Sequence, residues 1–169
     1  MPQKNNKSVN PGLWVSLAVT RILLGFIFLW AFLDKAFGLG FSTPTARAWI
    51  NGGSPTTGYL SNLDGMFAPF FNGLAGNMLV DWLFMLGLFG VGIGLILGVA
   101  VRISALAGIA MMLLMWLAAL PIATNPLVDD HIVYAAVLAV LAFGQSLQRL
   151  SIGHIWRDVP AVKRNSWLR

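Results

Sequence analysis

The sequence predicts an all-α membrane protein, a four-transmembrane-helix bundle with an outer loop that contains short interfacial helices. Three observations carry this fold class. Of the 169 residues, 57% are hydrophobic and 10% are charged, whereas soluble domains average about 25% charged residues. Four apolar segments are long enough to cross a bilayer, which takes about 20 residues each. The positive charges, apart from Arg21, lie near the ends of these segments, where membrane topology explains them.

The four predicted spans divide the chain into tails, spans and one long loop. They cover residues 13–37, 78–100, 103–123 and 132–147. The second and third spans are joined by Val101 and Arg102, so they must form a tight antiparallel hairpin. We therefore expect a cytoplasmic N-terminal tail at 1–12, a membrane domain at 13–148 with its outer loop at 38–77, and a basic cytoplasmic tail at 149–169.

Charge predicts the orientation of the spans. With the N-terminus inside, the cytoplasmic side carries eight basic residues and the outer side two, which is a positive-inside pattern. The cytoplasmic eight are Lys4, Lys7, Arg102, Arg149, Arg157, Lys163, Arg164 and Arg169, and the outer two are Lys35 and Arg47. The expected location is the inner (plasma) membrane, with both termini cytoplasmic. No small-residue cleavage site follows the first span, so we expect that span to be retained.

The loop at 38–77 is too long for an idle connection and too aromatic for a disordered one. We expect a short helix over Thr45 to Asn51, capped by Ser42 or Thr43 with Pro44 at its first position. The residues Gly-Gly-Ser-Pro at 52–55 should end it. Residues 59–74 should form an amphipathic cap at the outer interface.

Arg21 is the first functional candidate, because a charge deep in a bilayer is normally kept only in a bundle interior, a cavity or a ligand site. The alternatives are an arginine that reaches the nearer interface and one satisfied by backbone carbonyls. Helical spacing places Arg21, Gly25, Phe28, Phe32 and Lys35 on one face. Aromatic walls with few polar groups suit a planar hydrophobic ligand. A partner carbonyl, a lipid phosphate or a quinone oxygen would fit the gap beside Arg21 and Gly25, with Phe28 and Phe32 as aromatic walls of the site.

The outer ends of the spans hold a second group of candidates. Asp81 and His131 are the predicted proton-handling, catalytic residues, and Asp81 is a candidate ion-pair partner of Lys35. Aspartates at helix starts are also ordinary caps. A predicted anion pocket, read either as a nest of backbone amides or as an ordinary helix-stopping turn, comprises Lys35, Arg47, Gly52, Gly53 and Ser54. No metal site is expected, because the chain has two histidines and no cysteine.

The sequence resembles the DoxX/DoxD family of four-span membrane proteins. The residues that carry the resemblance are Arg-Ile-Leu-Leu-Gly at 21–25, Phe-Leu-Trp-Ala-Phe-Leu-Asp-Lys at 28–35, Trp-Ile-Asn-Gly-Gly-Ser-Pro at 49–55, Gly-Val-Ala-Val-Arg at 98–102, and Asn125-Pro126 through Asp130-His131 and Tyr134. It covers residues 13–147. It implies redox chemistry near a quinone pool, as in the membrane subunit of thiosulfate:quinone oxidoreductase. The soluble-type domain that thiosulfate oxidation requires there has no counterpart in this chain.

The expected function is that of an integral membrane subunit linked to quinone-dependent redox chemistry, with a small sulfur oxyanion such as thiosulfate as a possible substrate. The alternative is a non-catalytic structural subunit of a respiratory or oxidative-stress membrane complex. The resemblance implies quinone as the cofactor, and because the chain has no metal, haem or flavin motif, any further electron carrier is expected on a partner. The expected partners are membrane lipid and other membrane subunits or further copies of the chain, and not nucleic acid.

Overall fold

The computed structural model describes residues 10–122, 125–144 and 151–164, and every regular element among them is helical. The eight helices are α1 (Pro11–Phe37), α2 (Thr57–Leu60), α3 (Ala68–Asn72), α4 (Met78–Leu97), α5 (Val101–Ala119), α6 (Asp130–Phe143), α7 (Gly153–Asp158) and α8 (Pro160–Arg164). Helix α1 packs on α4, α4 packs on α5, and α5 packs on α6.

Three of these helices, α1, α4 and α5, are long and apolar enough to cross a membrane, with 27, 20 and 19 residues. Only 33–39% of their most apolar stretches are buried in the protein. The exposed side chains are themselves large and apolar, as Leu23, Phe26, Leu83 and Leu114 illustrate. An apolar surface on this scale indicates a protein embedded in a membrane.

The predicted spans agree with the helices in the middle and differ at some ends. Helix α4 starts at Met78 as predicted but ends at Leu97, because Gly98 takes a left-handed conformation with φ 68°. Helix α5 runs from Val101 to Ala119 instead of 103–123. Helix α6 has 14 residues, about 21 Å at 1.5 Å per residue. The predicted end of the fourth span, residues 145–147, lies outside the described residues.

Close contact between α1 and α4 depends on glycine. A Cβ on Gly25 would lie 2.9 Å from the Ile96 nitrogen, and one on Gly92 would lie 2.7 Å from the Leu29 nitrogen. The absence of side chains at these two positions lets the backbones approach closely. The core beside this contact contains Leu24, Phe28, Met85, Leu88, Val91, Leu95, Met112, Leu138 and Leu141.

The outer loop departs from the sequence prediction. A single helix over Thr45 to Asn51 is wrong: two separate 3₁₀ turns, Thr45–Arg47 and Trp49–Asn51, flank an extended, fully buried Ala48. Pro44 precedes the first turn in an extended conformation and is not its first helical residue. The break at Gly52 is confirmed, since Gly52 ends the second turn with φ 85°.

The second half of the loop is amphipathic. Its short helices α2 and α3 bury Leu60, Ala68 and Phe71, whereas Phe70 of α3 and Met66, which lies between the two helices, are exposed. Leu60 and Phe71 pack on Ala118 near the end of α5, in a small apolar cluster separate from the main core. The loop is therefore held against the end of the helix bundle.

Candidate functional site

Arg21 lies in the protein interior with 0% of its surface exposed. Its guanidinium Nη1 donates to the main-chain carbonyl of Leu95 at 2.5 Å and to that of Ile96 at 3.3 Å. Both carbonyls belong to the last turn of α4, where carbonyl groups have no partner within the helix and the helix dipole is negative. Arg21 therefore acts as a cationic cap for α4, one of the alternatives that its sequence position allows.

Other groups complete this cap. The Gly98 N–H donates to the carbonyls of Gly94 and Leu95, and the Ile152 N–H donates to the carbonyl of Leu97 at 3.1 Å. A side chain on Gly98 would collide with the Arg21 guanidinium. The last four carbonyls of α4 are thus all hydrogen-bonded, and the segment that begins at Ser151 is fixed to the same end of the bundle.

The face of α1 that runs from Arg21 to Phe32 lies in the contact between α1 and α4. The space beside Gly25 is filled from α4, since a Cβ at that position would lie 2.9 Å from the Ile96 side chain and 3.0 Å from the Gly92 carbonyl oxygen. Phe28 is 2% exposed, and the Phe32 ring lies 5.1 Å from that of Phe89 between centroids. The gap that the sequence suggested beside Gly25 is therefore occupied by the protein itself.

Asp34 holds the start of the outer loop. Its carboxylate is 1% exposed and accepts from the Phe41 N–H at 3.1 Å, the Ser42 N–H at 3.0 Å and the Ser42 hydroxyl at 2.6 Å. These bonds fold residues 38–43 back over the end of α1. No sequence pattern indicates this role, because the partners lie in an irregular turn.

Asp81 holds the next part of the loop in the same way. Its Oδ1 accepts from the Thr56 hydroxyl at 2.5 Å, the Thr56 N–H at 3.3 Å and the Ser54 hydroxyl at 3.0 Å. The structure thus brings together Ser54 and Asp81, two of the predicted site residues, as a structural clamp. The predicted ion pair between Lys35 and Asp81 is wrong, since none of the ion pairs among the described residues joins them.

Two of the three backbone amides of the predicted nest, those of Gly52 and Gly53, are used by internal hydrogen bonds. The Gly52 N–H donates to the Trp49 carbonyl at 3.0 Å, and the Gly53 N–H donates to the Ala48 carbonyl at 3.1 Å. The Ser54 hydroxyl donates to Asp81, so this hydroxyl and the Gly52 and Gly53 amides are not available for an anion. Arg47 is exposed beside this turn. The geometry is that of a helix-stopping turn, the other interpretation that the sequence allowed.

His131 lies at the start of α6 and is paired with acids of its own element. Its Nδ1 lies 2.7 Å from the Asp129 carboxylate and 3.5 Å from that of Asp130. Burial favours a higher pKa for Asp129, but hydrogen bonds from His131 and the Ile132 N–H outweigh it and lower that pKa. The ligand-type atoms of the three residues lie within 4.8 Å of one another. Capping of α6 and the ion pair account for this arrangement.

A cavity of about 460 Å³ is lined in part by Lys35. This partly open cavity is bordered by the end of α1, the loop helices α2 and α3, the first half of α4 and the last half of α5. Apart from Lys35, the lining residues that carry a side-chain polar atom with donor capacity are Thr56 and Tyr59. The remaining lining is apolar and consists of Pro55, Leu60, Phe70, Phe71, Leu74, Val80, Leu83, Phe84, Met111, Leu114, Met115 and Ala118.

The polar groups of this cavity differ in how they are used. Thr56 is bonded to Asp81, and the Tyr59 hydroxyl donates to the Met115 carbonyl at 3.2 Å, which ties α2 to α5. Burial and the nearby charges of Asp129 and Asp130 raise the pKa of Tyr59. No hydrogen bond or ion pair of Lys35 occurs among residues 10–122, 125–144 and 151–164. Its ammonium is the polar group that remains for a ligand.

Sequence reasoning assigned Lys35 to a binding site but missed the cavity around it. The two methionines of the lining, Met111 and Met115, lie four residues apart on α5, a spacing that places both on one side of the helix, and methionine suits the lining of a hydrophobic site. The contribution of Tyr59, Phe70 and Phe71 depends on how the loop folds back onto α5, for which the sequence carries no periodic signal.

Scans of protein-family models, of curated proteins and of solved structures found no match to this chain. What the cavity can bind follows from its own lining.

Proposed function

We propose that the chain crosses the membrane four times, with α6 in the fourth span and the loop at 38–77 outside. The Trp116 indole N–H donates to the Leu127 carbonyl at 3.0 Å, so residue 127 lies near the C-terminal end of α5. Ile152 is bonded to Leu97, at the opposite end of that helix hairpin. Residues 127 and 152 therefore lie at opposite ends of the bundle, which supports a fourth crossing.

The proposed orientation has a direct test, because the chain has no cysteine. Ser61→Cys lies in the exposed part of the outer loop, and Ser166→Cys lies in the basic tail. A membrane-impermeant maleimide applied to intact spheroplasts should label the first variant and should label the second only after permeabilisation, since basic residues are retained inside. Labelling in the reverse order would overturn the orientation.

We propose further that the chain is an integral membrane subunit serving quinone-linked redox chemistry, with the cavity beside Lys35 as the ring site. The supporting observation is that Lys35, whose ammonium has no protein partner among the described residues, lines a cavity that is otherwise mostly apolar and aromatic. A quinone is a planar apolar ring with carbonyl acceptors, so it matches both features. The volume lies within the usual range for small-molecule sites, roughly 300–1,000 Å³.

The proposal also covers the family of the chain and the substrate of the reaction that it serves. Membership in the DoxX/DoxD family is supported by the sequence motifs alone. In the turn at 52–54, the Gly52 and Gly53 N–H groups and the Ser54 hydroxyl are hydrogen-bonded within the chain, which leaves few donors there for a sulfur oxyanion such as thiosulfate. We therefore place any such step on a partner subunit, which would supply the electron donor. Lipid and other membrane subunits, or further copies of this chain, complete the proposed assembly.

Substitution of Lys35 tests the quinone site. Lys35→Gln should weaken binding of a short-chain quinone to the purified protein by about 10- to 100-fold, because a hydrogen bond to a charged group contributes about 1.5–3 kcal/mol. Arg47→Gln is the matched control, since Arg47 is an exposed outer cation and is absent from the cavity lining. Equal affinity in both variants and the parent would remove Lys35 from the site, and no quinone binding at all would refute the proposed function.

A structural subunit is the second candidate, and one observation favours it. Arg21, Asp34 and Asp81 are all buried and all hold backbone or loop groups of this chain in place. Such use of charged groups is architectural. A chain that is monodisperse only together with larger partners, and that carries no extractable quinone, would establish this second candidate.

A further inference from the structure

Two of the four lysines, Lys35 and Lys163, lie in the described part of the chain and have opposite surroundings. The Lys163 side chain is 59% exposed, and its amine lies 3.2 Å from the Asp158 carboxylate. Lys35 is half-buried and lines the apolar cavity, and the adjacent Asp34 gives its hydrogen-bond capacity to the loop. The two lysines form an internal pair for comparing reactivity.

The surroundings of Lys35 bear on its chemistry as well as its charge. A lysine amine desolvated in a hydrophobic pocket is a nucleophile that forms Schiff bases with carbonyl compounds. Water is the competing nucleophile and the agent that reverses imine formation, and an apolar lining keeps its concentration low. An apolar aldehyde would place its chain against Phe70, Phe71 and Met115 while its carbonyl carbon meets the amine.

We propose that Lys35 is a covalent binding site for apolar aldehydes, which it captures as an imine. In the neutral amine, the Nζ lone pair forms a bond to the carbonyl carbon. The carbonyl oxygen then leaves as water with the two amine hydrogens, and a carbon–nitrogen double bond remains. No oxidant or reductant takes part. This activity is distinct from quinone binding and depends on the cavity geometry, not on the proposed redox role.

The test uses the full chain in lipid nanodiscs, with decanal as the probe and cyanoborohydride to fix imines as stable amines. Peptide mass spectrometry then compares modification at Lys35 and Lys163. We expect Lys35 to be modified faster by about tenfold or more, because its site is both nucleophilic and apolar. With glyoxylate, a small charged aldehyde, the preference should reverse towards the exposed Lys163.

Two variants keep the result interpretable. Lys35→Arg retains the positive charge and removes the nucleophilic amine, so it should abolish the rapid decanal adduct, whereas Lys163→Arg should leave it unchanged. Equal modification of the two lysines by decanal, or a rapid adduct that persists in Lys35→Arg, would overturn the proposal.

A short-chain quinone added to the same assay separates aldehyde capture from quinone binding. Slower adduct formation supports a cavity shared by both ligands. Rapid labelling that quinone does not affect supports aldehyde capture and counts against the quinone site.

Discussion

Replacing Arg21 with alanine is expected to lower the free energy of unfolding by about 3–5 kcal/mol, because it removes a buried, charged hydrogen-bond donor from the last carbonyl groups of α4. The Ile96 carbonyl would lose its donor, and the Leu95 carbonyl would keep only the Gly98 N–H. Water cannot easily replace it, since Arg21 is fully buried at a contact with α4. The measurement is the unfolding midpoint in detergent, followed by circular dichroism.

Two further substitutions make this result specific. Arg21→Lys should lose about 1–3 kcal/mol, because lysine keeps the charge but not the planar set of donors. Arg47→Ala should change the stability by less than about 0.5 kcal/mol, as is usual for exposed positions. If Arg21→Ala is as stable as Arg47→Ala, the capping role is wrong and Arg21 again becomes a candidate for ligand binding.

The second large effect is expected at Asp81. Asp81→Ala should destabilise the protein by about 2–4 kcal/mol, because three hydrogen bonds end at one buried carboxylate oxygen and their donors would be left unsatisfied. The loss should be local first, because the released turn contains Pro55 and Thr56, which line the cavity. Hydrogen exchange of residues 52–60 should therefore accelerate before the helices open.

Asp64 supplies the control for this experiment. It is an exposed aspartate of the same loop, so Asp64→Ala should leave both stability and loop exchange nearly unchanged. Asp81→Asn keeps an acceptor oxygen of similar size and should lose about half of the effect of alanine. Unchanged exchange at 52–60 in Asp81→Ala would show that the loop is held by apolar packing rather than by this carboxylate.

The helices could be predicted because their signals are local. The last residue of α1 and the first of α4 match the sequence prediction, whereas α4 ends at Leu97, three residues before the predicted end, because Gly98 takes a left-handed conformation. Interior placement of Arg21 follows from the cost of a charge in lipid. The identity of its hydrogen-bond partners could not be predicted, because every residue has a backbone carbonyl and only the packing of α1 on α4 selects two of them.

The outer site resisted prediction for a related physical reason. Asp81 was predicted to handle protons, whereas the loop hydroxyls and amides that Asp34 and Asp81 bind come near them only when residues 40–56 fold. The Ser54 hydroxyl, a donor of the expected anion pocket, is bonded to Asp81, and Lys35 has no hydrogen bond or ion pair among the described residues. The cavity combines residues from α1, the loop, α4 and α5, so no single sequence motif could reveal it.

The central claim is that the cavity beside Lys35 is the ligand site of this chain. A photoreactive quinone, crosslinked to the full protein in nanodiscs and mapped by mass spectrometry, tests it most directly. We expect crosslinks at residues 55–60, 70–74 and 111–118, reduced by excess unlabelled quinone and by Lys35→Gln but not by Arg47→Gln. Crosslinks concentrated near Arg21 and residues 92–98, or spread without preference over the lipid-facing helices, would contradict the claim.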